Sequence, residues 1–322
     1  MIGYILLILL GFALLIKGAD FLVDGASNIA KKFKIPTIII GLTIVAIGTS
    51  MPELMVSATA AIGKHSDMSV GNVVGSNISN LFCILGVCSI IKSLKFKKET
   101  EKYEAPITIL ATIFLLISGN NNYEHIITKA EGGILIGCCI LFIGYNILMA
   151  KKSRDEVLVE INNDESKNIS IIKAVINIVV GIIALKFGGD LVVNYASKIA
   201  EIMGLSEKLI SLTIIAFSTS LPELITSINA TCKGETDMAI GNILGSQIFN
   251  ILLIIGTSAI LCPIEYSIEY NKDLIILLIG TIMFAIFPNI GKKHEMTRAN
   301  GIIFVSIYIA YMVSLCMSAI LK

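Results

Sequence analysis

About ten apolar stretches, each near the length of a membrane-spanning helix, follow one another along this sequence. A hydrocarbon core about 30 Å thick is crossed by roughly 20 apolar residues in a helix. Hydrophobic residues make up 55% of the chain and charged residues only 15%, which excludes an ordinary soluble domain. The sequence therefore predicts an all-α polytopic membrane protein. Its stretches lie at residues 2-30, 36-62, 68-91, 105-119, 131-150, 170-200, 208-232, 237-261, 273-288 and 300-320.

The charged residues of the loops indicate how the chain is oriented. The formal net charge is +1, so the composition does not indicate a nucleic-acid partner. With the N-terminus outside, most loop lysines and arginines fall on the inner side, as Lys97, Lys151 and Lys292 do. The positive-inside rule then predicts a multi-pass protein of the cell membrane with both termini outside. No basic segment precedes the first apolar stretch, so we expect this stretch to remain in the mature protein.

A shift of 170 positions aligns the sequence with itself without a gap. The shift pairs Gly41–Leu54 with Ser211–Leu224, and Gly71–Asn80 with Gly241–Asn250. Chance could match Leu with Ile in apolar stretches, but not Pro, Glu, Gly and Asn at one constant offset. The sequence therefore indicates an internal duplication.

The duplication predicts an inverted architecture. Each half holds five apolar stretches, an odd number, so the second half enters the membrane in the opposite sense. In such proteins the binding site lies near the midplane, where the repeats meet. We predict ten transmembrane helices as two inverted five-helix repeats, at 1-150 (helices 1-5) and 170-322 (helices 6-10), joined by a polar cytoplasmic linker at 151-169.

Two glutamates occupy matching positions deep inside apolar stretches. Glu53 and Glu223 lie about midway along their stretches, where an ionised side chain is costly unless it is matched. Such a glutamate could be paired with a lysine or arginine, or be protonated. Because no basic residue lies in the core of the second, third, seventh or eighth stretch, we interpret the two carboxylates as a site that cations or protons neutralise.

A proline directly precedes each glutamate. Pro52 and Pro222 cannot donate a backbone hydrogen bond, which frees the carbonyl groups of Gly48 and Ser218 four residues earlier. Backbone oxygens of an unwound helix can bind a hard cation, although a proline kink can also serve packing alone. The oxygens expected near such a break belong to Ala46, Thr49, Ala216 and Thr219.

Polar side chains recur at helical spacing around the glutamates. Hydroxyl and amide oxygens suit Ca²⁺, which takes about six to eight oxygen ligands, whereas the alternative role of Ser and Asn is hydrogen bonding between helices. We expect Asn72 and Asn242 to be structural. No metal-ligand spacing is present among the Cys and His residues, and no cofactor is expected. The candidate ligand side chains are Thr49, Ser50, Glu53, Ser76, Asn80, Thr219, Ser220, Glu223, Ser246 and Asn250.

The paired motifs of the two halves resemble the α-repeats of the calcium/cation antiporter superfamily, and most closely those of prokaryotic sodium/calcium exchangers. The resemblance rests on Gly48–Glu53 with Gly71–Ser76, and on Ser218–Glu223 with Gly241–Ser246. It implies a ten-helix inverted-repeat fold. It also implies a diamond-shaped site of Glu53, Glu223, Thr49, Ser50, Thr219, Ser220, Ser76, Asn80, Ser246 and Asn250, faced by the carbonyl groups of Ala46 and Ala216.

The same resemblance implies an electrogenic Na⁺/Ca²⁺ antiporter that works by alternating access and functions as a monomer among membrane lipids. Two positions depart from the family pattern. Ser218 replaces a usual glycine, and Asn250 stands where potassium-dependent relatives carry Asp, which argues against K⁺ transport.

Three other functions are weighed against antiport of Na⁺ and Ca²⁺. A Ca²⁺/H⁺ exchanger, or an exchanger of another divalent cation, would use the same glutamates, and the Thr-Ser pairs favour Na⁺ only weakly. A gated cation channel fits a doubled, inverted motif poorly. An enzyme is not expected, because the sequence shows no nucleophile-base pair or His/Asp metal cluster.

Overall fold

The computed structural model describes residues 2–63, 67–96, 100–121, 125–152, 170–204, 216–287 and 294–321. Within these ranges the chain is helical apart from short strands and connections. The helices are α1 (Ile2–Phe33), α2 (Thr37–Thr49), α3 (Met51–Ile62), α4 (Met68–Ile91), α5 (Ala105–Asn120), α6 (Lys129–Lys152), α7 (Ile171–Ile202), α8 (Ala216–Ser218), α9 (Leu221–Cys232), α10 (Thr236–Leu261), α11 (Tyr270–Ile286) and α12 (Arg298–Leu321).

Helices α1 and α7 pack along their length through glycines. A Cβ atom on Gly18 would lie 2.9 Å from the carbonyl oxygen of Gly181, and one on Gly11 would lie 2.9 Å from that of Gly188. Helices in lipid gain little from the hydrophobic effect, so small residues that let backbones approach are a main source of their association. The glycines therefore hold the first helices of the two halves together.

A second close crossing joins α2 to α10. A Cβ atom on Gly41 would lie 2.5 Å from the carbonyl oxygen of Met238, and one on Gly241 would overlap the carbonyl oxygen of Ile38. The crossing places the polar end of α2 against the polar face of α10. Only glycine permits this backbone separation.

Helices α2 and α3 form one broken segment with a bend of 48°. Ser50 lies at the break with φ −85° and ψ 8°, and Ser220 has nearly the same angles before α9. In both places proline falls in the first turn of the following helix, where its missing N–H costs nothing. The prolines thus act as helix starts after a break.

Four π-helical turns occur among the described residues, at Thr100–Glu104 directly before α5, Gly41–Val45 in α2, Ser79–Ile84 in α4 and Asn250–Ile255 in α10. Such turns widen a helix by one residue and occur often at functional sites. The last two lie at nearly matching positions of the two halves.

Two short antiparallel ribbons were not predicted. Leu94–Lys95 pairs with Glu295–Met296, and Ile126–Ile127 pairs with Ile264–Glu265. Strands of two residues are too short to show an alternating pattern in the sequence. Each ribbon joins a loop of the first half to a loop of the second.

The helices confirm a polytopic membrane protein. Seven of the described helices are long and apolar enough to cross a bilayer, and the bent pair Thr37–Thr49 and Met51–Ile62 is an eighth candidate. The ninth predicted stretch corresponds to Tyr270–Ile286, with 17 residues. The seventh contains residues 208–215, which lie outside the described ranges, as do residues 153–169 of the predicted linker. The count of ten and the inverted repeats therefore stay predictions.

Candidate cation site

Each of the two glutamates lies in the first turn of a helix that follows a break. Glu53 belongs to the start of α3 and Glu223 to the start of α9. Both side chains have 0% exposure. The N-terminus of a helix carries partial positive charge, which favours a carboxylate there. The breaks therefore place two acidic groups inside the protein at helix ends that suit them.

The surroundings give these carboxylates no countercharge. Within the described ranges, neither glutamate forms an ion pair, and the ion pairs of Lys17, Lys186 and Lys233 involve other acidic residues. A buried charge without a partner costs several kcal/mol (about 3–5 kcal/mol when one member of a buried pair is removed). Among the described residues nothing neutralises the pair, which makes bound cations or protons the candidates for that role.

Contacts between the two halves bring the predicted ligands together. Ser50 Oγ donates to Glu223 Oε1 at 2.9 Å. Thr219 and Ser76 lie beside the Glu53 carboxylate, and their hydroxyl oxygens are 3.4 Å apart. Each glutamate thus has hydroxyl groups of the opposite half as neighbours.

The expected structural role of Asn72 fits its hydrogen bonds. Its Nδ2 donates to Ser57 Oγ at 2.9 Å and to the backbone oxygen of Glu53 at 3.2 Å. Its Oδ1 lies 3.5 Å from the hydroxyl of Thr219. Asn72 therefore connects α3, α4 and the segment before α9.

Asn242 repeats this arrangement in the second half. Its Nδ2 donates to Ser227 Oγ at 2.9 Å, and its Oδ1 accepts from the Thr49 hydroxyl at 3.1 Å. Ser227 and Asn242 lie 170 positions after Ser57 and Asn72, and Thr49 lies 170 positions before Thr219, so the same contact occurs twice with the two halves exchanged. Both threonines are oriented by an asparagine of the opposite half.

Several predicted ligands carry buried oxygen atoms that lack a hydrogen-bond partner in the described part of the chain. Buried polar atoms are nearly always paired in proteins, so a concentration of unpaired oxygens points to an ion or another ligand. Carboxylate, hydroxyl and amide oxygens are the donors that Ca²⁺ and Na⁺ take, which makes the set fit such cations. The unpaired atoms are Glu53 Oε1 and Oε2, Glu223 Oε2, Ser220 Oγ, Ser246 Oγ, Asn80 Oδ1 and Asn250 Oδ1.

The two asparagines of this set lie in π-helical turns. Asn80 is in the turn Ser79–Ile84 of α4, and Asn250 begins the turn Asn250–Ile255 of α10. Each is at most 1% exposed. Both follow a predicted ligand serine by four residues, so Ser76 and Asn80 share one helix face, as Ser246 and Asn250 do.

The predicted backbone ligands are the carbonyl oxygens of Ala46 and Ala216. The carbonyl oxygen of Ala46 accepts the backbone N–H of Ser50 at 3.0 Å and lies 3.3 Å from the Thr49 hydroxyl. It therefore retains a helical hydrogen bond, and because a carbonyl oxygen has two lone pairs, its role as a ligand stays a prediction. Ala216 begins α8, directly after the undescribed residues 205–215, and its side chain is also outside the description.

Sequence reasoning missed two buried carboxamides. Asn77 is 1% exposed and Gln247 is 0% exposed, and they lie next to the predicted ligands Ser76 and Ser246. The repeat contained the signal, because the shift of 170 positions pairs one amide with the other. Their bonding depends on how α4 meets α10, which spacing along one helix does not show.

Comparison with known proteins agrees with this geometry. A family model described as sodium/calcium exchanger protein matches residues 3–148 and 173–317. The putative antiporter CaxA of Alkalimonas amylolytica is 37% identical over 310 residues, which cover 94% of this chain and 96% of that protein. The sodium/calcium exchanger MaX1 of Methanosarcina acetivorans is 30% identical, with 96% of this chain and 97% of that protein covered.

The fold is also similar to that of a sodium/calcium exchanger of known structure. The solved structure of the sodium/calcium exchanger from Methanococcus jannaschii superimposes with a TM-score of 0.82 at 28% identity, covering 97% of each chain. The family model, the sequence identity and the similarity of fold each extend over nearly the whole chain. All three are consistent with the buried carboxylate site. The chain belongs to the sodium/calcium exchanger family, a family of membrane transporters.

Proposed function

We propose that this protein is an antiporter that couples a Na⁺ gradient to Ca²⁺ transport by alternating access. The observation that carries the proposal is the pair of fully buried carboxylates, Glu53 and Glu223, which form no ion pair within the described ranges and lie among buried oxygens without partners there. Relatives named as sodium/calcium exchangers cover nearly the whole chain and support the choice of ions.

The proposed ligands comprise the two carboxylates, hydroxyl groups and amides, with backbone oxygens at two alanines. Two negative charges are neutralised by one Ca²⁺ or by two Na⁺, so the ions compete for shared ligands. An empty site would expose unpaired carboxylates to the apolar barrier, which suppresses leak. The set is Glu53, Glu223, Thr49, Ser50, Thr219, Ser220, Ser76, Asn80, Ser246, Asn250, Ala46 and Ala216.

We further propose that exchange is electrogenic and independent of K⁺. The Ser and Thr oxygens flanking the carboxylates provide places for more than two Na⁺ per Ca²⁺. Each net charge moved then adds about 2.3 kcal/mol per 100 mV of membrane potential. Asn250 supplies a neutral oxygen in place of a third carboxylate, which supports K⁺ independence.

The proposed architecture is two inverted halves, at 1-150 and 170-322, around the central site. Three features support it. The family model matches residues 3–148 and 173–317, and the Thr–Asn–Ser contact occurs once in each direction between the halves. Each ribbon joins loops that the ten-span topology places on the same side of the membrane.

Proteoliposomes provide the test of function. Vesicles loaded with Na⁺ and diluted into Na⁺-free medium with labelled Ca²⁺ are expected to take up Ca²⁺, faster with an inside-positive potential and equally with or without K⁺. Uptake driven only by a proton gradient would replace the proposal with Ca²⁺/H⁺ exchange, and uptake that requires K⁺ would remove the K⁺ independence.

Ser50→Ala should weaken Ca²⁺ binding without unfolding the protein. The Ser50 hydroxyl donates to Glu223 and holds one carboxylate oxygen in place, and a hydrogen bond to a charged group contributes about 1.5–3 kcal/mol. The apparent KM for Ca²⁺ should therefore rise roughly tenfold or more. Ser89→Ala is the matched control, because Ser89 is also buried but donates only to Leu85 of its own helix. Equal KM values for the two variants would contradict the role of Ser50.

We propose that the protein functions as a monomer without a cofactor.

We also propose that both termini lie outside the cell membrane, with residues 151-169 in the cytoplasm. In a cysteine-free background, a cysteine replacing Lys129 at the start of α6 should react with an impermeant thiol reagent on intact cells. A cysteine replacing Lys152 at the other end should not. The reverse pattern would invert the orientation.

A further inference from the structure

Asn77 connects α4 to α10 beside the proposed ligands. Its Nδ2 donates to the backbone oxygen of Gln247 at 3.2 Å, and its Oδ1 accepts from Nδ2 of Asn250 at 2.9 Å. Asn77 is 1% exposed and Asn250 is 0% exposed. Through Asn77 of α4, the two hydrogen bonds connect the backbone of Gln247 with the side chain of Asn250, both in α10.

These two hydrogen bonds fix the orientation of both side-chain amide groups. A carboxamide has a donor end and an acceptor end, and a backbone carbonyl can only accept. The NH₂ group of Asn77 must therefore face the Gln247 carbonyl, so its oxygen faces Asn250. Asn250 must then present its own NH₂ group to Asn77, which leaves its oxygen as the opposite end. That oxygen is buried and has no partner among the described residues.

We infer that Asn77 is a positioning residue that fixes the side-chain oxygen of Asn250 toward the cation site. The inference rests on the proposed function, since it assigns a role within the same site. An amide that could rotate would present NH₂ hydrogens to a cation half of the time and would have to reorganise on binding. A fixed oxygen avoids that cost, because the ligand is already oriented before the cation arrives.

The internal repeat provides a comparison within the same molecule. The counterpart of Asn77 in the second half is Gln247, one methylene longer, and neither its Nε2 nor its Oε1 has a partner within the described ranges. The counterpart of Asn250 is Asn80, whose Nδ2 and Oδ1 are also both unpaired there. Asn250 is therefore an oriented oxygen ligand, whereas Asn80 can present either end of its amide.

A double-mutant cycle tests this role. Asn77→Leu, Asn250→Leu and the double variant are made in the full chain, and Ca²⁺ and Na⁺ affinities are obtained in detergent from ion-dependent thermal stabilisation. Each single variant should weaken binding of at least one of these cations by about tenfold, since an ion–oxygen contact or its orientation is lost. The double variant should bind no more weakly than Asn250→Leu, because Asn77 acts only through Asn250.

The control is Asn146→Leu, which removes a buried amide whose hydrogen bond among the described residues goes to Phe142 of its own helix. It should leave both affinities unchanged. Additive losses in the double variant, or an Asn77→Leu variant with normal affinities for both cations, would overturn the inference. If Asn77→Leu fails to fold, Asn77→Ala takes its place in the same cycle. Binding is measured without any gradient, so failure of Na⁺-driven uptake would reject the proposed coupling while leaving this test intact.

Discussion

Replacing Glu53 with Gln is expected to abolish Na⁺-driven Ca²⁺ uptake while leaving the protein folded. The glutamine keeps the shape of the side chain but leaves Glu223 as the single carboxylate, so a bound Ca²⁺ would retain a net positive charge in a fully buried site. Removing one member of a buried charged pair costs about 3–5 kcal/mol. Ca²⁺ affinity should therefore fall on the order of 10²–10³-fold, and Glu223→Gln should behave alike.

Uptake into proteoliposomes and thermal unfolding together check this result. In buffer free of Na⁺ and Ca²⁺, Glu53→Gln should unfold at the same temperature as the unchanged protein or above it, because a buried unpaired charge has been removed. Glu104→Gln is the control, since Glu104 is also a buried glutamate, with 5% exposure, but lies outside the proposed ligand set. It is expected to retain uptake. Normal uptake by Glu53→Gln would remove Glu53 from the site.

Gly241→Ala is expected to destabilise the protein and to stop transport. The added methyl group would overlap the carbonyl oxygen of Ile38, and the backbone of α2 cannot move aside as a flexible side chain can. Overpacking of this kind costs about 1–3 kcal/mol. Separating α10 from α2 would also lengthen the 3.1 Å contact between Thr49 and Asn242, next to the crossing.

A thiol-reactive dye can follow unfolding, because Cys88 and Cys139 are buried in the native protein and react after the exposed Cys138 and Cys232. Gly241→Ala should expose these thiols at a lower temperature than the unchanged protein. The control is Gly137→Ala in α6, where an added Cβ would meet nothing within 4 Å and alanine favours the helix. If the two variants unfold at the same temperature and transport equally, the α2–α10 crossing does not have the proposed importance.

The membrane class and the central acidic pair could be predicted from the sequence for simple physical reasons. Apolar stretches of spanning length have few other uses, and Glu53 and Glu223 stand out because a charge deep in such a stretch requires a partner. The constant offset of 170 positions indicated that the two belong to equivalent segments. Helix breaks at Ser50 and Ser220 followed from proline chemistry, because proline cannot continue the preceding hydrogen-bond pattern.

The bonding around the glutamates could not be predicted in the same way. Asn72 and Asn242 were expected to be structural, and their hydrogen bonds fit that role. The sequence did not indicate their partners, which are threonines of the opposite half and serines on neighbouring helices. The carbonyl oxygen of Ala46 still accepts the N–H of Ser50, which the sequence did not indicate, and its role as a ligand stays a prediction. The two ribbons and the Asn77–Asn250 bond were not anticipated.

The sequence by itself thus determined that this chain folds in a bilayer and that two acidic side chains at its centre require neutralisation. The cost of burying an unmatched charge depends on the residue type and on its depth in the membrane. Both can be estimated from the sequence. The tertiary structure decided which oxygens are paired and which remain available to a cation. Those contacts join residues such as Ser50 and Glu223, 173 positions apart, and depend on how apolar helices rotate and cross in lipid. A helix that is apolar on most of its surface carries little periodic signal of its rotation, so only packing determines it.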